Sequence, residues 1–198
     1  NKQREGMAWM EANNYSGMMA LDTGVGKTLL AGGAMMHFIN HKEGGGGTKK
    51  FLFVSPKRLQ GNFSREMSTF LKDKGVIESR VEEMNYLKFA RIVRTIDTLP
   101  AVMKKPKEKR DKDLARIPLD FWSDRSKLKP AYKDSTSYFK AVYQMCFFDE
   151  VNEALSGSKR KAITDLKHPH KILLSASPME KDPLDLYRFV AIAKGDNY

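Results

Sequence analysis

Four short apolar runs constrain this chain more than any other feature. They are Gly17-Met18-Met19-Ala20-Leu21, Phe51-Leu52-Phe53-Val54, Met145-Cys146-Phe147-Phe148 and Lys171-Ile172-Leu173-Leu174. Side chains alternate sides along a strand, so runs apolar at both parities need cover on both faces. Helical crossovers between parallel strands supply that cover. The intervening segments have the matching pattern. Leu29 to Asn40, opened by Lys27-Thr28, reads as a helix in spite of Gly32 and Gly33. Phe63, Met67, Phe70 and Leu71 fall at i, i+4, i+7 and i+8, an amphipathic helix. The last helix has Asp182 placed as N-cap, Pro183 at its first position, and Leu186, Phe189, Val190 and Ala193 as its apolar face. Gly44 to Gly47 reads as a flexible surface turn. The expected fold class is α/β, a parallel β-sheet flanked by helices on both faces, with no internal repeat.

The chain's 198 residues suffice to bury a proper core. No apolar run approaches the roughly 20 residues of a membrane span and no signal peptide opens the chain, so no membrane partner is expected. The single cysteine, Cys146, rules out an internal disulfide and a cysteine-rich zinc site, and reads as core. It fits a reducing intracellular setting: cytoplasm, nucleus, or a host cell if the source is viral. A net charge of +11 points to a polyanionic partner or to a solvated basic surface. The chain starts at Asn1, without a methionine, and reads as a piece of something longer.

Between the first apolar run and the first helix lies Thr23-Gly24-Val25-Gly26-Lys27-Thr28. The strict phosphate-loop pattern has glycine or alanine where this chain has Leu21, so the context has to decide. A loop leading from a buried strand into a helix aims backbone amides at phosphate oxygens. Gly24 and Gly26 let the backbone wrap closely, Lys27 reaches the outer phosphates, and Thr28 offers a hydroxyl to Mg²⁺. Taken alone, the loop also reads as a plain glycine turn. The second half of the pattern is Asp149-Glu150, about 120 residues on at the end of the third run. An aspartate there can hold Mg²⁺ through water, and a glutamate can polarise an attacking water. Taken alone, that pair reads as a helix cap. Together, loop and pair predict a phosphate cradle that uses Mg²⁺, with Lys27 and Glu150 carrying the chemistry.

At these residues the chain resembles the first RecA-like lobe of helicase superfamily 2, and within it the Swi/Snf-type double-strand translocases. Gln3 and Gly6 in "NKQREGMAWM" are similar to the segment that contacts adenine. "ALDTGVGKT" resembles A-D-E-M-G-L-G-K-T, and Asp149 to Asn152 occupies the place of D-E-A-H. Ser55 to Phe70 resembles the second-strand motif whose loop touches nucleic-acid backbone, here Pro56, Lys57, Arg58 and Asn62. Ser175 to Ile192 resembles T-G-T-P-I and the helix after it. Met84 to Lys88 stands for the family's T-Y-E strand end. The resemblance implies a RecA-like ATP-binding lobe of a double-stranded DNA translocase, with RNA as the other candidate polymer. It also implies a second RecA-like lobe beyond Tyr198 that supplies an arginine finger, so that the lone lobe hydrolyses ATP poorly.

Two departures stand out. Asn152 replaces the family's histidine, which links hydrolysis to the segment at Ser175 and Ser177; these three are the expected coupling residues. Residues 104–133 hold eleven Lys/Arg against five Asp/Glu, +6 of the total charge. As a basic insertion near the nucleic-acid face, this stretch would offer Lys104 and Lys105 to phosphates and Phe121, Trp122 and Tyr132 to bases. Its other reading is a solvated basic loop with aromatics packed on the core. His168 and His170, flanking Pro169, read as a turn. A motor lobe is the leading function, and a non-catalytic nucleotide- and nucleic-acid-binding scaffold is the alternative.

Overall fold

The computed structural model describes residues 2–22, 24, 26–41, 48–70, 79–115, 122–124, 129–177 and 183–194. The Gly44–Gly47 turn, Leu71, Phe121, Asp182, Thr23 and Val25 lie outside them, as does the side chain of Phe70. In chain order the elements are α1 (Lys2–Ala12), β1 (Gly17–Ala20), α2 (Lys27–His41), β2 (Lys50–Ser55), α3 (Asn62–Phe70), β3 (Val81–Asn85), α4 (Tyr86–Met103), α5 (Lys107–Leu114), β4 (Trp122–Asp124), β5 (Lys129–Pro130), α6 (Ser135–Val142), β6 (Tyr143–Phe148), α7 (Gly157–Asp165), β7 (Lys171–Ser175) and α8 (Pro183–Lys194). Five strands form one parallel sheet in the order β1-β7-β6-β2-β3, and β4 and β5 make a separate antiparallel pair.

Strand parity sorts the core into two layers. Phe51, Phe53, Met145, Phe147, Ile172 and Leu174 face α1, α2 and α3. Leu52, Val54, Cys146, Phe148 and Leu173 face α4, α6, α7 and α8. The expected parallel sheet, covered on both faces, is what forms. Cys146 is wholly buried, and loss of solvation pushes its thiol pKa up. Gly32 belongs in α2 for a packing reason: a Cβ there would sit 2.2 Å from the Met67 sulfur of α3.

Some boundaries move. β1 ends at Ala20, although the Leu21 N–H still donates to Ser175 O at 2.9 Å. α2 starts at Lys27, two residues before Leu29, so the Lys27-Thr28 opening is already helical, and it ends at His41. Within Met84 to Lys88 the strand ends at Asn85, whose side chain accepts from the Lys88 N–H and caps α4. The buried face of α8 also differs from expectation. Asp185, Phe189, Ala191 and Ile192 are buried, while Leu186 and Val190 are 39% exposed. Four apolar residues within eight cannot by themselves say which of two adjacent stripes meets the sheet.

Lys171 opens β7 and is almost fully buried. Its ammonium donates to the carbonyls of Ile163 in the last turn of α7, of Leu166 just after it and of Ile192 in α8, at 3.0 to 3.2 Å. A cation at two helix C-terminal ends satisfies carbonyls that the helices leave open. Burial nonetheless lowers its pKa to about 8.

Candidate nucleotide site

All five parallel strands point their C-terminal ends the same way, and the glycine loop and the acidic pair meet there. Gly24, Gly26, Lys27, Thr28 and Leu29 line one side of a cavity of about 590 Å³, and Asp149 and Glu150 line the other. Gly24 and Gly26 have φ of 81° and 80°, left-handed backbone open to glycine without strain. A Cβ on Gly26 would also lie 3.0 Å from the Gln3 amide nitrogen, so α1 brings Gln3 directly onto the loop. Gln3 lines an adjoining cavity of about 410 Å³ with Arg4, Met7, Leu30 and Gly33, and the two cavities share Leu29.

The acidic pair is held by its backbone. The Asp149 N–H donates to Val54 O at 2.8 Å, and the Tyr86 hydroxyl donates to Asp149 O at 2.7 Å. Tyr86 is buried beside these carboxylates; loss of solvation, then their charge, raises its pKa well above normal. Glu150 adopts a left-handed backbone, φ 47° and ψ 51°. For a residue with a Cβ this costs about 1 to 3 kcal/mol. In this conformation its Oε1 accepts from Lys27 Nζ at 2.7 Å. Asp149 is 8% exposed, and its Oδ1 has no hydrogen-bond partner among the described residues. Burial first, then the neighbouring Glu150, raises its carboxyl to about 6.

The remaining expected residues are distributed around this cavity. Asn62 and Glu66 of α3 line it, so Asn62 faces the glycine loop as well as the turn it was grouped with. Pro56, Lys57 and Arg58 form the turn after β2, and the exposed Arg58 guanidinium pairs with Glu153 just past the acidic pair. Asn152 lies on the short 3-10 turn Val151–Ala154, which packs against β7. β7 ends at Ser175, whose buried hydroxyl accepts from the Ser177 N–H at 3.2 Å. Lys104 and Lys105 are not at this edge. They lie at the far end of α4, whose 18 residues carry the chain about 27 Å from the end of β3. Tyr132 packs edge-on against Tyr138 at 5.1 Å, on the core side of the insertion. His168 and His170 form the expected turn: the His170 N–H donates to His168 Nδ1, and His168 Nε2 bonds Tyr143 O. Tyr86 and Glu66 lie within the segments Met84 to Lys88 and Ser55 to Phe70 but were not expected at this site, and Glu153 carried no signal, because each side chain reaches the cavity or its rim only in the assembled sheet.

No described helix is long and apolar enough to cross a membrane. No curated relative matches the chain. Among solved structures, the SWI2/SNF2 ATPase core of Sulfolobus solfataricus, solved in complex with dsDNA, matches with a TM-score of 0.58 at 19% identity. The match covers 96% of this chain and 34% of that one. The UvsW helicase of bacteriophage T4 matches with a TM-score of 0.53 at 13% identity, over 95% of this chain and 56% of that one. The chain thus spans between a third and just over half of the proteins it resembles, and at these identities the likeness establishes a shared RecA-like fold. The profile of the SNF2-related domain matches residues 2–198, and the chain belongs to that family.

Proposed function

We propose that this chain is the ATP-binding lobe of an ATP-driven translocase on double-stranded DNA. A second RecA-like lobe, following Tyr198, would complete the site. The observation that carries the reading is the single cavity in which Gly24, Gly26, Lys27 and Thr28 face Asp149 and Glu150. Family membership supports ATP use, and the DNA-bound Sulfolobus relative supports the choice of polymer.

Mg²⁺ fits the residues present. A buried carboxylate oxygen without a partner among the described residues and a threonine hydroxyl are hard oxygen donors, and Mg²⁺ needs only one or two such groups beside phosphates and water. Asp149 and Thr28 would hold it, and the ion when bound neutralises charge on the phosphate oxygens. The protein's own residues do the rest. The amides of the glycine loop and the start of α2 orient the phosphates. Lys27 would exchange Glu150 for an outer phosphate oxygen, and the freed Glu150 carboxylate would accept a proton from the attacking water. Gln3, with Met7 and Leu29 beside it, offers an amide and an apolar wall to the base. Transition-state charge still needs an arginine from the second lobe, worth about 10³ to 10⁵ in rate in other NTPases, so the lone lobe turns over slowly.

The test is ATP turnover of the two-lobed protein with and without duplex DNA. Duplex should stimulate the parent, and Lys27→Ala should abolish turnover while the melting temperature is kept. Unchanged turnover in that variant would refute the nucleotide site; a parent indifferent to duplex would refute the translocase.

A further inference from the structure

The exposed row Leu87, Arg91, Arg94, Thr98 and Ala101 of α4 continues into Lys105, two residues past the end of the helix. Their spacing alternates four and three, so they form one ridge along the helix, and all six are exposed. The ridge holds three cations and no acid. The acids nearby are engaged, one of them by the ridge's own Lys105. Asp97, one turn on from Arg94, accepts from the Ser135 N–H at 2.8 Å and its hydroxyl at 3.1 Å, fastening α6. Glu82 accepts from the Tyr143 hydroxyl at 2.9 Å, with Lys50 at 3.7 Å and Lys88 at 4.0 Å. Asp113 takes the Lys105 ammonium at 2.8 Å. Arg91 and Arg94 make no hydrogen bond or ion pair among the described residues.

The ridge also has a defined starting point. The Asn85 amide donates to the Gln60 side chain at 3.3 Å, and Glu83 accepts from the N–H groups of Gly61 and Ser64 at 3.0 Å. These bonds lash the beginning of α4 to the turn that carries Lys57 and Arg58. From there the ridge runs to Lys104, Lys105 and the basic helix α5. It bridges two basic groups that the sheet topology otherwise keeps apart.

We propose that this ridge is a second contact surface for duplex nucleic acid, continuing the track from the Lys57–Arg58 turn along α4 to the basic insertion. The inference rests on the nucleic-acid reading given above. Three features select a duplex backbone. The ridge runs the length of α4, about 27 Å, a length over which a duplex presents about 16 phosphate charges. Thr98 and Ala101 are small enough to admit a close rod. The ridge has no aromatic side chain on which an unpaired base would stack. Arg91 and Arg94, one turn apart, present planar forks that match phosphate oxygens.

The test is binding of the protein to a fluorescently labelled DNA duplex across salt from about 50 to 200 mM, a range over which phosphate contacts dominate. Arg91→Ala/Arg94→Ala should weaken binding at low salt and make the slope of log Kd against log salt shallower by about 2, one for each lost phosphate contact. Thr98→Asp, which places an acid in the middle of the ridge, should also weaken binding. Nucleotide affinity and melting temperature should stay at parental values in both variants. If the parent binds duplex but both variants keep its affinity and slope, the ridge is a solvated face and the inference fails alone. If the parent shows no salt-sensitive duplex binding, the translocase reading fails and the ridge inference with it.

Discussion

The ammonium of Lys27 rests 2.7 Å from Oε1 of Glu150, a contact made across 123 residues of sequence. Both side chains are mostly shielded from water. The two groups expected to act on opposite ends of the reaction, one on phosphate and one on water, therefore form an ion pair with each other. In the proposed mechanism a bound nucleotide would exchange one oxygen partner of Lys27 for another.

Glu150→Gln follows directly from this contact. The amide keeps the shape but neither holds Lys27 as an ion pair nor accepts a proton. Nucleotide should bind at least as tightly as in the parent, while turnover of the two-lobed protein falls by about 10² to 10⁴. Equilibrium nucleotide titration beside steady-state ATPase assays checks both halves. A variant that loses binding along with turnover would show Glu150 building the loop and not acting on water.

Asn152 should behave differently. It lies on a turn packed against β7, the strand that ends at Ser175. Asn152→Ala is expected to leave basal ATP hydrolysis nearly intact and to reduce its stimulation by duplex DNA. ATPase rates with and without duplex decide this. Loss of basal turnover as complete as in Glu150→Gln would place Asn152 in the chemistry and not in coupling.

Acid stability turns on His168. Burial holds its imidazole neutral and lowers its pKa to about 4, from the usual value of about 6.5. A base depressed by folding takes up its proton first in the unfolded chain. Its contribution is therefore full above pH of about 6.5 and is lost as pH falls toward about 4. The loss should amount to about 2 to 3 kcal/mol. Asp149 works in the opposite sense, because its raised carboxyl favours the folded state once protonated below about pH 6. Denaturant unfolding of the parent and of His168→Gln at matched pH values isolates the histidine. The variant should be less stable at neutral pH, with the gap closing in acid; a constant gap would rule this mechanism out.

Much of the fold was legible because it rests on local pattern. Phe51 to Val54 and Met145 to Phe148 are apolar at both parities, and only a strand covered on both faces buries such a run. The loop was legible for a related reason: Gly24 and Gly26 before Lys27-Thr28, with Asp149-Glu150 at a later strand end, are residue types tied to one chemistry. The α8 face was misjudged because Leu186 and Val190 fit a helical stripe as well as Ala191 and Ile192 do. Lys104 and Lys105 were grouped with the Lys57 turn because charge composition carries no direction.

The sequence by itself determined the four apolar strands, three of the helices, the parallel sheet covered on both sides, the glycine loop and the acidic pair. Each depends on a few neighbouring residues whose spacing, backbone freedom or charge has a direct physical meaning. Only the tertiary structure decided that Lys27 meets Glu150, that Tyr86 braces the Asp149 backbone, and that Lys171 ties the ends of α7 and α8 together. It alone set the Arg91–Arg94 ridge between two basic groups. These relationships join residues far apart in the chain, and their distances are fixed by strand order and helix packing, which no local pattern encodes.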